Sequence, residues 1–287
     1  IRELKKNPAD IVHTQDVYVA QILTEARQEG IIKSKAILAH GTDEKPNAIG
    51  RIKYIQHLTP FYKEKAERFL GNNGQKHFFI PNFVDTRKFL RFSDKDRMEL
   101  RYKNNIAEGY FVIGTVGAIK SSHKRVDTVI RECSLFAKRW GEIYLLIAGA
   151  ETDETDAIKV LADQLLKGKY KLMLNKKFEE MPSFYNMLDI YVHPAAEEFF
   201  GIAIIEAMAC GVPVVVNNTP VLRWITGSGG WSTDVTKEGF LDKILSEVRM
   251  RLKETGVNAR KYVEENFSWQ VVYPMFMKMY EEVVGRV

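Results

Sequence analysis

The sequence predicts an α/β protein made of two doubly wound parallel-sheet domains, and three observations lead there. Short apolar runs alternate with helical patterns of ten or more residues, each run closes on a polar or glycine-bearing turn, and 287 residues with 45% hydrophobic content suffice for two compact lobes.

The first part of the chain has four strand candidates: Ile11 to Thr14, Ala36 to His40, Lys53 to Gln56 and Phe78 to Pro81. A doubly wound domain usually needs about five strands with crossovers of about a dozen residues, and roughly 85 residues are short for that. Upstream strands are therefore expected to be missing from a chain that opens on Ile1. The boundary is expected in IPNFVDTRKFLRFSDKD, where Pro81 and Asn82 end an apolar run and charged residues precede the next helix.

Beyond it, Phe111 to Gly117, Ile143 to Ala148, Tyr170 to Leu174, Asp189 to His193 and Val212 to Val216 read as buried strands. Helical patterns such as VDTVIRECSLFAKRW lie between them, giving βαβ units and right-handed crossovers. From Ser268 a final helix begins, and the spacing of Trp269, Tyr273, Phe276 and Tyr280 offers a long apolar face for packing on the first domain. The expected division is 1–88, 89–267 and the crossing helix 268–287.

Composition narrows the function classes. The 42 Lys+Arg against 37 Asp+Glu leave a net charge of +5, interspersed and not in blocks, so no nucleic-acid partner is expected. Cys133 and Cys210 lie far apart without metal-ligand spacing, as core thiols of a reducing compartment do. No apolar run reaches the roughly 18 residues of a membrane span, and IRELKKNPAD lacks the apolar region of a signal peptide. A cytoplasmic protein is expected. RIKYIQHLTPFYKEKAERF is basic and bears aromatics, so it reads either as an ordinary amphipathic helix packed on the sheet or as a peripheral contact at the inner membrane face.

In open parallel sheets ligands bind beyond the carboxyl ends of the strands. The fourth strand after the boundary is followed by HPAAEEFFGIAIIEAMACGVPVVV. Glu206 lies in a helix, from about Gly201 to Cys210, that is otherwise apolar on every side, so its carboxylate is expected to be buried and to need hydrogen-bond partners. Two ribose hydroxyls would supply them. Gly201 lets a ligand approach the backbone, and the amides of Phe200, Gly201, Ile202, Ala203 and Ile204 form a helix N-terminus suited to a diphosphate. Glu198, just ahead, would reach a sugar hanging from that diphosphate. The alternative is that Glu198 caps the helix and Glu206 is salt-bridged.

Glu198-x7-Glu206 in this setting resembles the E-x7-E signature of retaining glycosyltransferases of the GT-B fold, family 4, whose two domains are Rossmann-like. The resemblance extends over most of the chain, because ADIVHTQ, AILAHGT, IPNFVDTRKF, IGTVGAIKSSHKRVDTVI, LLIAGA, FEEMPSFYNMLDIYVHPA and ENFSWQ follow the family's usual order. It implies a donor nucleoside-diphosphate sugar, UDP- or GDP-linked, and a glycan or lipid-linked sugar acceptor, with no cofactor and no bound metal.

By the same resemblance Glu206 would hold the donor ribose, Glu198 the hydroxyls of the donor sugar, and Lys124 the diphosphate, where a fixed cation stabilises the departing charge. Lys124 also reads as a solvated helix-start lysine, with Arg125 its equal. Most members place an arginine directly after the glycine where this chain has Gly117-Ala118, and the loop is one residue longer. Lys120 or His123 would then supply the second cation, or both are plainly exposed. His40 matches a histidine facing the donor sugar, and His13 one closer to structural duty. Lys176, Lys177 and Phe178 occupy the turn that borders the base, or form an ordinary surface turn. The function expected is retaining hexosyl transfer; the alternative is an inactive nucleotide-sugar-binding module or assembly subunit on the same fold.

Overall fold

The computed structural model describes residues 1–41, 46–71 and 74–285. The chain divides into two compact units: Ile1–Phe83 with Trp269–Val287, and Val84–Ser268.

The first unit opens with α1 (Arg2–Lys6), β1 (Ile11–Thr14), α2 (Val17–Gln28), β2 (Lys35–His40), α3 (Pro46–Ile49), β3 (Tyr54–His57), α4 (Pro60–Leu70) and β4 (Lys76–Phe79). The strands form one parallel sheet in chain order. Asp16 starts α2 by accepting the Val19 N–H at 3.0 Å, and Thr59 starts α4 by accepting that of Tyr62 at 3.2 Å. Successive strand residues face opposite sides. Leu38 and Ile55 thus join Val17, Ala20, Ile49 and Ala66 on one face, while Ile37 and Tyr54 serve the other.

β4 begins before the expected Phe78. It pairs with β3 from Lys76, an exposed residue whose amine meets Glu282 at 2.9 Å. An edge strand needs no apolar first residue, so hydrophobicity did not mark its start; at the other end Pro81 cannot donate to a ladder.

The second unit runs α5 (Asp94–Lys103), β5 (Phe111–Val116), α6 (Val126–Trp140), β6 (Ile143–Gly149), α7 (Thr155–Leu166), β7 (Tyr170–Leu174), α8 (Met181–Asn186), β8 (Ile190–Val192), α9 (Ile202–Ala209), β9 (Val214–Asn217), α10 (Pro220–Thr226), β10 (Gly230–Thr233), α11 (Phe240–Val248) and α12 (Leu252–Asn266). Its parallel sheet has the order β10-β9-β8-β5-β6-β7. Strand order therefore reverses between β5 and β8, and the loops after those two strands flank a crevice. Val129, Ile130, Cys133 and Phe136 of α6 are buried against Ile113, Leu145, Ile147 and Ile190 of the sheet. Cys210 is buried as well.

β10 is the strand that the sequence reading lacks. Its residues are only half-buried, and TGSGGWST reads as a turn. The glycine is there for contact: a Cβ on Gly230 would lie 2.0 Å from the Val214 carbonyl oxygen of the neighbouring strand. β9 starts at Val214, later than the expected Val212, because Pro213 has no N–H to donate.

The last helix, α13 (Trp269–Val284), completes the first unit. Val272, Met279 and Val283 are fully buried against Ile37, Tyr54 and Ile80, flanked by Phe276 and Tyr280. The expected aromatic face is corrected in one respect: Tyr273 is 43% exposed and packs on Trp269, with ring centroids 4.7 Å apart. Both faces of the first sheet are thus covered. Among the described residues no helix is long and apolar enough to cross a membrane.

Gly230→Ala is expected to lower stability by at least about 2 kcal/mol, since a methyl group is forced onto backbone that cannot yield without breaking the β9–β10 ladder. Urea unfolding checks this, and a change within about 0.5 kcal/mol, the scale of ordinary surface substitutions, contradicts it.

Candidate functional site

The crevice between β5 and β8 is built from two loops of the second unit. After β8, residues 193–201 lead into α9, where Gly201 takes φ +81. A side chain there is strained, and its Cβ would also crowd Ile204 at 2.8 Å and Glu198 at 3.2 Å. The N-cap of α9 is Gly201, which has no side chain, and among the described residues Glu198 makes no hydrogen bond to the first-turn amides of α9. The first-turn amides of Ile202 and Ala203 have no acceptor within the helix, as at any helix start.

Glu198 instead collects two donors. Its Oε2 lies 2.8 Å from Lys124 Nζ and 3.2 Å from His193 Nε2. Burial pushes this carboxyl upward, but the hydrogen bond from His193 and the charge of Lys124 outweigh it and hold Glu198 at about 2. The carboxylate is therefore ionised at ordinary pH and accepts only. His193 donates through Nε2 to this carboxylate, and its Nδ1 lies 3.2 Å from the Tyr191 hydroxyl.

The loop after β5 places the lysine. A Cβ on Gly117 would press on the Lys124 side chain at 3.2 Å, and one on Gly149 would sit 1.7 Å from the Gly117 carbonyl oxygen, so Gly149 is closed to any larger residue. His123 and Arg125 adopt positive φ, 56° and 47°, which turns the chain sharply around Lys124. Arg125, the equal candidate by sequence, donates to the Val235 carbonyl at 3.0 Å and the Pro194 carbonyl at 3.4 Å. It braces the loop. Lys120 is half-buried in the same loop and His123 is exposed.

Glu206 has the opposite environment. Its residue is 8% exposed, and its Oε2 accepts from the fully buried Tyr185 hydroxyl at 2.7 Å. It has no salt bridge among the described residues. Burial raises its carboxyl to about 7, with Tyr185 only partly opposing.

Tyr185, Tyr191 and His193 were not anticipated. Tyr185 sits inside FEEMPSFYNMLD and His193 at the strand end before Pro194, but no local periodicity says that either faces a glutamate.

The remaining sequence candidates are placed as follows. Phe200 is buried, its ring packed on Phe267 at 5.6 Å, so its side chain is taken up by the core. Phe178 begins a 3-10 turn and is half-exposed over Phe89. Lys176 pairs with Glu180 at 2.6 Å, the ordinary surface arrangement. His13 meets the Tyr280 hydroxyl at 2.9 Å. His40 belongs to the first unit, buried at the end of β2, where its Nδ1 lies 3.3 Å from His57 Nδ1.

The Glu206 environment has a pH signature. Its folded value of about 7 lies above the ordinary 4.5, so the native state binds more protons than the unfolded chain between the two. Its favourable contribution is complete below the lower value and lost as pH rises through the upper one. Relative to Glu206→Gln, wild-type stability is expected to fall by on the order of 3 kcal/mol between about pH 4 and pH 8. Parallel stability curves for the two proteins would show that the carboxyl is not raised.

CapM, a capsular polysaccharide biosynthesis glycosyltransferase of Staphylococcus aureus, is 29% identical over 205 residues, covering 67% of this chain and 52% of that protein. The chain spans about half the length of the curated relatives it matches. Sucrose-phosphate synthase of Thermosynechococcus elongatus superposes with a TM-score of 0.84 at 17% identity, over 100% of this chain and 76% of that one. HepE of Anabaena, solved with UDP and glucose, superposes at 0.77 and 17% identity over 98% and 80%. These solved structures establish the GT-B arrangement of two parallel-sheet α/β domains, here with sheets of four and six strands. The family profile of the group 1 glycosyl transferases matches residues 96–262, more than half of the sequence and both loops of the crevice, and the chain belongs to that family.

Proposed function

We propose that the protein transfers a hexosyl unit from a UDP- or GDP-linked sugar to a hydroxyl of a glycan or lipid-linked acceptor, with retention at the anomeric carbon. The observation that carries this reading is the pairing of two unlike glutamates on the loop and helix that follow β8. Glu198 is held ionised by Lys124 and His193 ahead of a helix N-terminus, and Glu206 is buried within that helix.

In this reading the diphosphate lies on the amides of Phe200, Gly201, Ile202 and Ala203, where the helix start favours an anion. Glu206 accepts from the ribose hydroxyls, and Glu198 from hydroxyls of the sugar. Lys124, already fixed by Glu198, faces the diphosphate without further ordering and stabilises the charge that grows on it as the glycosidic bond breaks. Gly117 keeps the loop open to the phosphates, Lys120 offers a second cation, and Phe178 borders the base. His40 contacts the donor sugar. The leaving phosphate takes the acceptor proton on the same face, so no protein nucleophile, cofactor or metal is invoked.

The Gly117-Ala118 sequence favours a second reading, a donor-binding module without transfer, because the phosphate-binding arginine of most family members is absent there. Donor consumption by the full-length protein separates the two.

Glu206→Ala is expected to weaken binding of the free nucleoside diphosphate by about 1–3 kcal/mol, the loss of a buried hydrogen-bonding carboxylate. Unchanged affinity by calorimetry, in a folded variant, removes the ribose role. Glu198→Gln is expected to cut turnover at saturating donor and acceptor without weakening that affinity, because its contact is with the sugar and its removal frees Lys124 for the phosphates. Wild-type turnover in Glu198→Gln would leave the residue a purely structural partner of Lys124.

A further inference from the structure

A cavity of about 500 Å³ opens in the second unit at the amino ends of the strands, where Phe111 starts β5, Asp189 precedes β8 and Pro213 precedes β9. The crevice of Glu198 and Lys124 follows the carboxyl ends of β5 and β8. The two places therefore lie at opposite ends of one parallel sheet.

This cavity collects cations. Arg91, Arg97 and Arg101 line it from α5 and the residues just before it, and Arg249 and Lys253 from the 3-10 turn before α12 and the first turn of that helix. Against these five stand two carboxylates, Asp94 and Asp189. The Asp94 side chain is 80% exposed, and both oxygens of Asp189 are already in use: Oδ1 accepts from Arg101 Nη2 and Oδ2 from the Val112 N–H, each at 2.8 Å. Three positive charges are left in excess.

Some of these cations are fixed and others are free. Arg97 donates to the Asn186 and Leu188 carbonyls at 2.8 and 2.7 Å, Arg101 to the Met187 carbonyl at 2.8 Å, and Arg91 to the Gly211 carbonyl at 3.0 Å. Carbonyls set the position of a guanidinium but do not neutralise it. Burial, then the charges of Arg91 and Arg101, push Arg97 down to about 10, with Asp189 and Asp94 only partly opposing, so like charges repel here without full compensation. Arg249 and Lys253 are exposed and make neither a hydrogen bond nor an ion pair among the described residues. Arg249 lies over the rings of Phe111 and Trp140, at 5.6 and 5.9 Å from their centroids, a contact that holds the side chain without using its N–H groups.

Such a cluster selects a multiply charged anion, because a single carboxylate would leave most of the excess in place, and guanidinium forks match the oxygens of phosphate. The cations converge on one cavity, whereas a nucleic-acid backbone is met by a basic stripe. We infer that this cavity is an anion site that takes a phosphate group, free or as a lipid headgroup, with Arg249, Lys253 and the unbonded Nη1 of Arg101 as its donors and Arg91 and Arg97 supplying fixed charge. It does not rest on the donor-sugar reading.

The test is calorimetric titration of the full-length protein with inorganic pyrophosphate at low ionic strength, beside flotation with phosphatidate-containing vesicles. In Arg249→Gln/Lys253→Gln, whose altered side chains are exposed and leave the core untouched, pyrophosphate binding is expected to weaken at least about five-fold, from the loss of two charge-assisted contacts. Lys124→Gln is expected to retain that binding. Lys237→Gln/Lys243→Gln, which removes as much charge from exposed positions outside the cavity, is expected to leave it unchanged. Dependence on Arg249 and Lys253 in the pyrophosphate arm assigns a free anion, and dependence in the vesicle arm alone assigns a lipid headgroup; dependence in neither overturns the site. Binding lost in Lys124→Gln but intact in Arg249→Gln/Lys253→Gln puts the anion in the other crevice, and equal weakening in Lys237→Gln/Lys243→Gln reduces the effect to net charge. Either result also overturns the site.

Discussion

A carboxylate withdrawn from water must find cations or hydrogen-bond donors, or else take up a proton. Both outcomes occur on one short stretch of this chain. Glu198 is ionised because a lysine from another loop and a histidine from its own reach it at 2.8 and 3.2 Å. Glu206, given among the described residues one tyrosine hydroxyl and no cation, is raised to about 7. The rest of the second unit is arranged around that division: the reversal of strand order brings the two loops together, and Gly149 and Gly201 let the backbone pass where a side chain would block it.

The architecture was legible wherever a strand is buried on both faces. β5 and β6 are apolar runs bounded by turns, and their positions follow from that pattern alone. β10 and the first residues of β4 were not legible, because an edge strand gains its place from a ladder partner rather than from its own hydrophobicity. The glutamates and Gly201 stood out since a charge in an apolar helix and a glycine before it are anomalies against a local background. Their partners did not stand out. Lys124 and Tyr185 approach from distant sequence, and nothing in the segments SSHKRVD or FYNMLD states which residue they will face.

The same limit explains Arg125. By charge and position it is interchangeable with Lys124, and only the left-handed backbone at both His123 and Arg125 decides which side chain enters the crevice and which ties the loop to the carbonyls of Pro194 and Val235. Exchanging the two identities would conserve the local charge and misdirect it, since a planar guanidinium and a compact ammonium do not substitute for one another geometrically.

α13 has a consequence for how the protein comes into being. The side chains that close the second face of the first sheet, Val272, Met279 and Val283, are made after the second unit, although the strands of that sheet are made before it. Domains fold largely as units during synthesis. The second unit, continuous from Val84 to Ser268, has its whole sequence available earlier, while Ile37, Tyr54 and Ile80 await their cover. The nascent protein thus passes through a stage with an exposed apolar sheet face, and this stage, more than the finished fold, is where a chaperone would be needed.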